Sequence, residues 1–212
     1  MGSNSSINKY IMNFLSIDCS TNVGSLFLKV KNKVFNKVLQ SNKSNNDLLM
    51  KNILDFLVEN DQEFDNIEEI FVNQGPGNFS GLRGSLSIAK GISLSKNLNL
   101  YGYNTFIWSC ARFLNKKDFI FSIIEFRKKY YYRKFDKNLK EASDIKEIKK
   151  QEIIKNFYNK FKIIPKQMVK NFDKKILNLH NTNIINLDHN DLELLKLNGL
   201  LNEGAIKPLY LS

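Results

Sequence analysis

The chain has 212 residues, 42% of them hydrophobic and 12% aromatic, with a formal net charge of +11. That supports one large domain or two small lobes sharing an interface and excludes a disordered chain. No apolar run approaches the roughly 20 residues a membrane-spanning helix needs. Cys19 and Cys110 form neither a disulfide framework nor a CxxC pair, so a reducing cytoplasm is the expected compartment.

Residues 1–11 are polar, precede a second methionine at Met12, and are set aside as an extension or tag. Residues 13–18 read as a strand that ends on an acid, Asp18. Val23–Val30 and Lys33–Ser41 follow as strands joined by a Lys31-Asn32 turn, a hairpin meander. Ser44 is placed to cap a helix running to about Asn60, with Leu49, Ile53, Phe56 and Leu57 on one face. A short strand over 69–73 enters a glycine-rich turn, then a helix over 81–96. A strand over Leu98–Tyr103 and a helix over 105–114 complete the first half. The order β-β-β-α-β-α-β-α predicts a mixed sheet with helices packed on it, an α/β arrangement.

The second half opens with another hairpin, Phe119–Glu125 and Tyr130–Phe135. A Lys-rich helix over Asp144–Lys162, a strand over Ile184–Leu187 and a helix from about Asp191 follow. This opening echoes the first half. The expected organisation is a lobe over 12–106 and a smaller basic lobe over 107–212.

Charge divides unevenly between them. Residues 1–106 carry a net +1 and residues 107–212 a net +10. Such a field attracts polyanions, RNA above all. An AT-rich coding bias toward Lys, Asn and Ile produces the same excess, so charge alone leaves both accounts open.

The densest signal is Asn73-Gln74-Gly75-Pro76-Gly77-Asn78-Phe79-Ser80-Gly81-Leu82-Arg83-Gly84. Glycines flanking a proline, between a strand and a helix, serve backbone conformations closed to other residues. Ser80 can cap the following helix, and free N–H groups at its start can hold an anion. A tight turn without a ligand fits the same residues. The segment is neither a Walker P-loop nor a dinucleotide fingerprint, since it lacks Gly-Lys-Ser/Thr and has the wrong glycine spacing. The helix beyond it is rich in small residues. Gly84 and Gly91, seven apart on one face, would let another backbone approach, from this chain's own sheet or from another chain.

At these residues the sequence resembles the TsaB (YeaZ-type) family. Gly75-Pro76-Gly77-Asn78-Phe79-Ser80-Gly81-Leu82-Arg83 is similar to the family's GPGSFTG(L/V)R signature, and Leu15-Ser16-Ile17-Asp18-Cys19-Ser20-Thr21 to its IDTST strand and turn. Glu125-Phe126-Arg127 resembles its Asp-Ala-Arg, and Pro208-Leu209-Tyr210-Leu211 its C-terminal Pro-x-Tyr-Leu. Two departures stand out. Asn45 replaces a histidine on the first helix, and Lys129 takes the place of a turn glycine.

The resemblance implies the actin-like, two-lobed ATPase (ASKHA, Hsp70-like, ribonuclease H-like) fold with a degenerate second lobe. It implies a non-catalytic subunit that supports a TsaD-type catalytic partner beside a TsaE-type ATPase. That assembly installs threonylcarbamoyl on adenosine 37 of tRNAs reading codons that begin with A. The partner surface would lie on two helices, at Asn45, Leu49 and Ile53 and at Gly84, Ile88 and Gly91. A homodimer is the alternative state when the partner is absent.

The residues fit an inactive role. His180 and His189 are nine apart, not at the i, i+4 spacing of a helical metal pair, and read as surface or structural. Asp18-Cys19-Ser20-Thr21 has Ser20 where an ATPase phosphate turn needs glycine, which marks a degenerate turn at Asp18, Ser20 and Thr21. No metal or cofactor is required, although a nucleotide at the partner interface is allowed. Arg127, Lys128, Lys129 and Arg133 interleave with tyrosines. They are candidate RNA contacts or the wet face of a half-buried strand. A small-molecule kinase or metal-dependent hydrolase on the same fold, and a stand-alone RNA-binding module, are the competing functions.

Overall fold

The computed structural model describes residues 12–21, 23–39 and 45–211, with the side chains of residues 45–47 outside it. The extension over 1–11, the Ser44 cap and the Asn45 side chain lie outside the described residues.

The first lobe contains β1 (Phe14–Asp18), β2 (Gly24–Val30), β3 (Lys33–Leu39), α1 (Asn45–Glu59), β4 (Glu69–Asn73), α2 (Phe79–Lys96), β5 (Asn99–Tyr103) and α3 (Thr105–Cys110). Its sheet runs β3-β2-β1-β4-β5, with the β1–β3 meander antiparallel and β4 and β5 parallel to β1. Alternation along each strand sorts side chains between two faces. Leu15, Ile17, Leu26, Leu28, Ile70 and Val72 join α1 and α2 in one core. Phe14, Phe27, Phe71 and Tyr103 point the other way, into the core shared with the second lobe. Phe14 stacks between Phe27 and Phe71, at 5.3 and 4.5 Å between ring centroids.

The second lobe contains β6 (Phe119–Phe126), β7 (Lys129–Asp136), β8 (Lys146–Ile148), α4 (Lys150–Asn156), β9 (Lys162–Pro165), α5 (Lys174–Leu177), β10 (Thr182–Ile185) and α6 (Asp191–Leu197). Its sheet order, β8-β7-β6-β9-β10, repeats the pattern of the first: two antiparallel pairs on one side and two parallel pairs on the other. The echo in sequence is thus a duplication of topology.

Several expectations need correction. The Lys-rich stretch over 144–162 is one short strand, a seven-residue helix and the start of another strand. The strand expected over Ile184–Leu187 lies at Thr182–Ile185. The segment from His189 onward is also tied to the first lobe. Lys29 on β2 pairs with Glu193 at 2.6 Å, and Glu69 on β4 pairs with Lys196, so α6 is fastened to the first sheet. Gly102 and Asn202 then exchange backbone hydrogen bonds at 2.8 Å, and Ile206 enters the first-lobe core.

The helical reading failed at Lys162 because a strand residue that looks solvated is fully buried. Its ammonium lies within hydrogen-bond reach of four carbonyls, those of Phe157 (2.6 Å), Tyr158 (3.2 Å), Lys160 (2.8 Å) and His180 (2.7 Å), which share its three N–H groups. Burial pushes the amine down to about 8, which still leaves it charged at neutral pH. It ties two loops to the edge of β9. Lys162→Met, which strands those carbonyls, should lower the unfolding free energy by about 3 kcal/mol in urea titration; an unchanged midpoint would dismiss the tie.

Candidate functional site

The glycine turn and the Asp18 turn meet backbone to backbone. A Cβ built on Gly77 would lie 1.9 Å from the Ser20 carbonyl oxygen, and one on Gly81 2.4 Å from that of Cys19. The Asn78 N–H donates to the Ser20 carbonyl at 2.8 Å. Gly75 takes φ 106°, a left-handed conformation that side chains rarely adopt. These glycines therefore serve close approach and turn geometry. Asn78, rather than Ser80, caps α2, accepting from the Ser80 N–H at 3.3 Å, and the helix begins at Phe79.

Beneath this contact the Asp18 carboxylate is buried and spent. It accepts from the Ser20 N–H at 2.9 Å and from Asn73 Nδ2 at 3.1 Å. The Asn73 amide also reaches Ser20 Oγ and Thr105 Oγ1, while its oxygen accepts from the Gly75 N–H at 2.8 Å. Burial raises the Asp18 carboxyl above the usual range, against hydrogen bonds from Ser20 and Asn73 that lower it. Thr21, with its hydroxyl donating to the Val23 carbonyl, lies at the rim. A cleft of ≈ 250 Å³ between the lobes is lined by Asp18, Thr21, Trp108, Gln167 and His189 among others.

His189 closes the floor of that cleft as a structural residue. Its ring lies between Ser25 Oγ (3.0 Å from Nε2) and Ser16 Oγ (2.9 Å from Nδ1) and stacks on Phe27. Burial pushes its imidazole down to about 4, with Asp188 opposing the shift. His180 is exposed and stacks on Tyr158. Among the described residues no group of three His, Cys, Asp or Glu side chains is placed to hold a metal.

On the two helices, the expected partner residues divide. Leu49 and Ile53 are 1% and 0% exposed, committed to the first-lobe core, and cannot offer their side chains to another chain. Helical geometry turns Leu48, Leu54 and Val58 outward instead. Gly84 and Ile88 are half-buried on α2, which packs against α1. A Cβ on Gly91 would meet nothing within 4 Å, so its own sheet is not the neighbour it accommodates.

Sequence reasoning missed the role of the C-terminal segment. The Gln74 amide donates to the Lys207 carbonyl at 2.8 Å and its backbone carbonyl accepts from Leu209 at 2.7 Å. Tyr210 stacks on Phe79 at 5.1 Å, and Arg83 lies 3.8 Å over the Phe79 ring while donating to the Tyr210 hydroxyl at 3.0 Å. The sole signal in sequence was the Pro208-Leu209-Tyr210-Leu211 resemblance, which says nothing about where those residues fold.

The four basic RNA candidates also divide. Arg127 and Lys128 form the β6–β7 turn, both at positive φ (52° and 65°), with Glu125 accepting from the Lys128 N–H. Lys129 is not in the turn; it lies on β7 opposite Phe126 and pairs with Glu147 at 2.7 Å. Arg133 pairs with Glu141 at 2.5 Å. Those two charges are neutralised within the chain.

Two lobes of repeated topology around a cleft define the actin-like ATPase architecture. Structures of YeaZ from Pseudomonas aeruginosa match it over almost the whole chain. One has a TM-score of 0.69 at 14% identity, covering 94% of this chain and 100% of that one. Another, of a protein described as similar to peptidase YeaZ, has a TM-score of 0.71 at 14% identity, covering 95% and 100%. In sequence, the model of the TsaD family, tRNA N6-adenosine threonylcarbamoyltransferase, matches residues 39–119. The tRNA threonylcarbamoyladenosine biosynthesis protein TsaB of Buchnera aphidicola is 36% identical over 84 residues, which span 40% of this chain and 38% of that protein. Over the matched residues the chain is thus similar in sequence to TsaB and TsaD proteins, and in fold to YeaZ.

Two outcomes test the site. Gly77→Ala should destabilise the fold by about 3 kcal/mol or more, since backbone must move, whereas Gly91→Ala should be neutral or stabilising by up to about 1 kcal/mol; chemical denaturation of both variants compares them. The unfolded chain protonates His189 near pH 6.5, the folded chain only near 4. Its contribution is full above the unfolded value and lost toward pH 4, by up to about 3 kcal/mol. Raised Asp18 acts in the opposite sense at acid pH. His189→Gln should therefore flatten the acid limb of the stability profile; a superimposable limb would rule out the imidazole.

Proposed function

We propose that this chain is a non-catalytic subunit of the machinery that adds threonylcarbamoyl to adenosine 37 of tRNAs reading codons beginning with A. It supports a TsaD-type catalytic partner, with a TsaE-type ATPase, in the cytoplasm. The observation that carries the reading is the internally bonded Asp18 turn: the Ser20 N–H, a group that could point at phosphate, donates to the Asp18 carboxylate, which also accepts from Asn73. A kinase or hydrolase on this architecture needs such N–H groups free for phosphate. The kinship in sequence to TsaB and TsaD supplies the pathway.

The outward faces of α1 and α2 are the proposed partner surface. Leu48, Leu54 and Val58 on α1 and Leu94 on α2 are apolar and 46%, 45%, 76% and 85% exposed, and Gly91 leaves room for a close neighbour. Exposed side chains of this kind, beside a glycine, suit a helix-on-helix contact. The same faces would pair with a second copy when the partner is absent. A nucleotide, if bound, would sit at that shared interface.

The test is association of the purified chain with the TsaD-type protein of the same cell on a sizing column at micromolar concentration. Leu94→Asp should weaken binding at least tenfold without lowering the melting temperature, because the side chain touches little of its own fold. Co-elution of the two wild-type proteins failing altogether would defeat the proposal.

A further inference from the structure

The second sheet gathers an unpaired basic and aromatic surface at the end remote from the Arg127-Lys128 turn. β6 begins there, β7 ends there and β9 begins there. Phe119 opens β6 and is 49% exposed; Tyr158 follows α4 and is 55% exposed. Lys134 holds its ammonium 3.6 Å over the Phe119 ring, and Lys117 lies 4.9 Å over Phe161. Lys137 is drawn against the same loop by the Asn115 N–H, which donates to its carbonyl at 2.7 Å. Lys160 flanks Tyr158. Among the described residues none of these four lysines forms an ion pair.

Asp118 and Asp136 lie at the same end, Asp136 accepting from the Asn138 and Lys140 N–H groups of its own turn, so two of the four positive charges remain in excess. The aromatic tip is also rigid. Tyr158 stacks on His180, and the buried Lys162 ammonium binds carbonyls on both loops that carry these rings. Hydrated ammonium groups held beside exposed, fixed rings match the two things single-stranded RNA offers, phosphate charge and base faces.

We infer that this end of the second lobe binds RNA directly, with Lys117, Lys134, Lys137 and Lys160 on phosphates and Phe119 and Tyr158 on unstacked bases. The inference rests on the proposed role in tRNA modification only for the choice of tRNA as the RNA. An acidic protein surface would use the cations but has no bases for the rings, which is why RNA is preferred. The surface lies roughly 23 Å from the Arg127-Lys128 turn, the length of an eight-residue strand, so the two basic regions can be tested apart.

The experiment is fluorescence anisotropy of labelled tRNA with the full chain, alone and bound to its TsaD-type partner. Four phosphate contacts predict an affinity that falls about fiftyfold between roughly 50 and 200 mM salt. Reversing Lys117, Lys134, Lys137 and Lys160 to Glu should cost at least tenfold in affinity and flatten the salt dependence. Phe119→Ser with Tyr158→Ser should weaken binding several-fold while leaving the salt slope unchanged, a signature that bulk charge does not produce. Arg127→Glu with Lys128→Glu should change affinity by no more than about threefold. Circular dichroism checks that each variant folds, and partner binding is measured on the same preparations. Wild-type affinity in the lysine variant, no tRNA binding by the wild-type chain, or binding only to phosphatidylserine vesicles would overturn the inference. Retained partner binding in those cases would leave the proposed subunit role standing.

Discussion

Two backbone turns meet in this protein with no side chain between them, and the arrangement of the first lobe depends on that contact. Gly77 and Gly81 bring the start of α2 onto the carbonyls of Cys19 and Ser20 so closely that a single added carbon at either position collides with backbone. The contact fixes where α2 begins, directs the Asn73 amide between Asp18, Ser20 and Thr105, and leaves Gly75 and Gln74 to receive the C-terminal segment. The Ser20 N–H donates to Asp18 while the Cys19 and Ser20 carbonyls face the glycine turn, so the two turns hold each other in place.

The lobes are joined more firmly than a hinge would allow. Phe14, Phe27 and Phe71 belong to the first sheet yet share one core with Ile120, Ile123 and Ile163 of the second. Trp108 Nε1 donates to the Asp188 carbonyl at 2.8 Å, His189 stacks on Phe27 and bridges Ser16 and Ser25, and α6 is paired to β2 and β4. Closing or opening the cleft would break these contacts together. Interfaces packed to interior density resist continuous deformation, so the cleft is better described as a fixed seam than as a moving jaw.

Charge acquires meaning once ion pairs are known. The excess in residues 107–212 is not spread evenly over the fold. On the hairpin, Lys129 and Arg133 are answered by Glu147 and Glu141. At the opposite end of the same sheet, Lys117 and Lys134 face aromatic rings rather than carboxylates. A formal net charge cannot distinguish these cases, because it depends on composition while binding depends on which charges remain unanswered.

The amino-acid order by itself determined the strand meander of the first half, the glycine turn between β4 and α2, and the mixed α/β layering, since these follow from local periodicity and from conformations open mainly to glycine and proline. The glycines at Gly75, Gly77 and Gly81 were likewise readable as a turn between strand and helix. Tertiary structure alone decided that Leu49 and Ile53 face inward while Leu48, Leu54 and Val58 face out. It also decided that Lys162 is a core residue, that Asn78 rather than Ser80 caps α2, and that Tyr210 returns to cover Phe79 and Arg83. The return of Tyr210 spans 127 residues from Arg83, and the facing of α1 is set by the sheet it packs on. A local pattern carries no information about which distant residue will share a ring face, or whether a loop will fold back over a lysine and bury it.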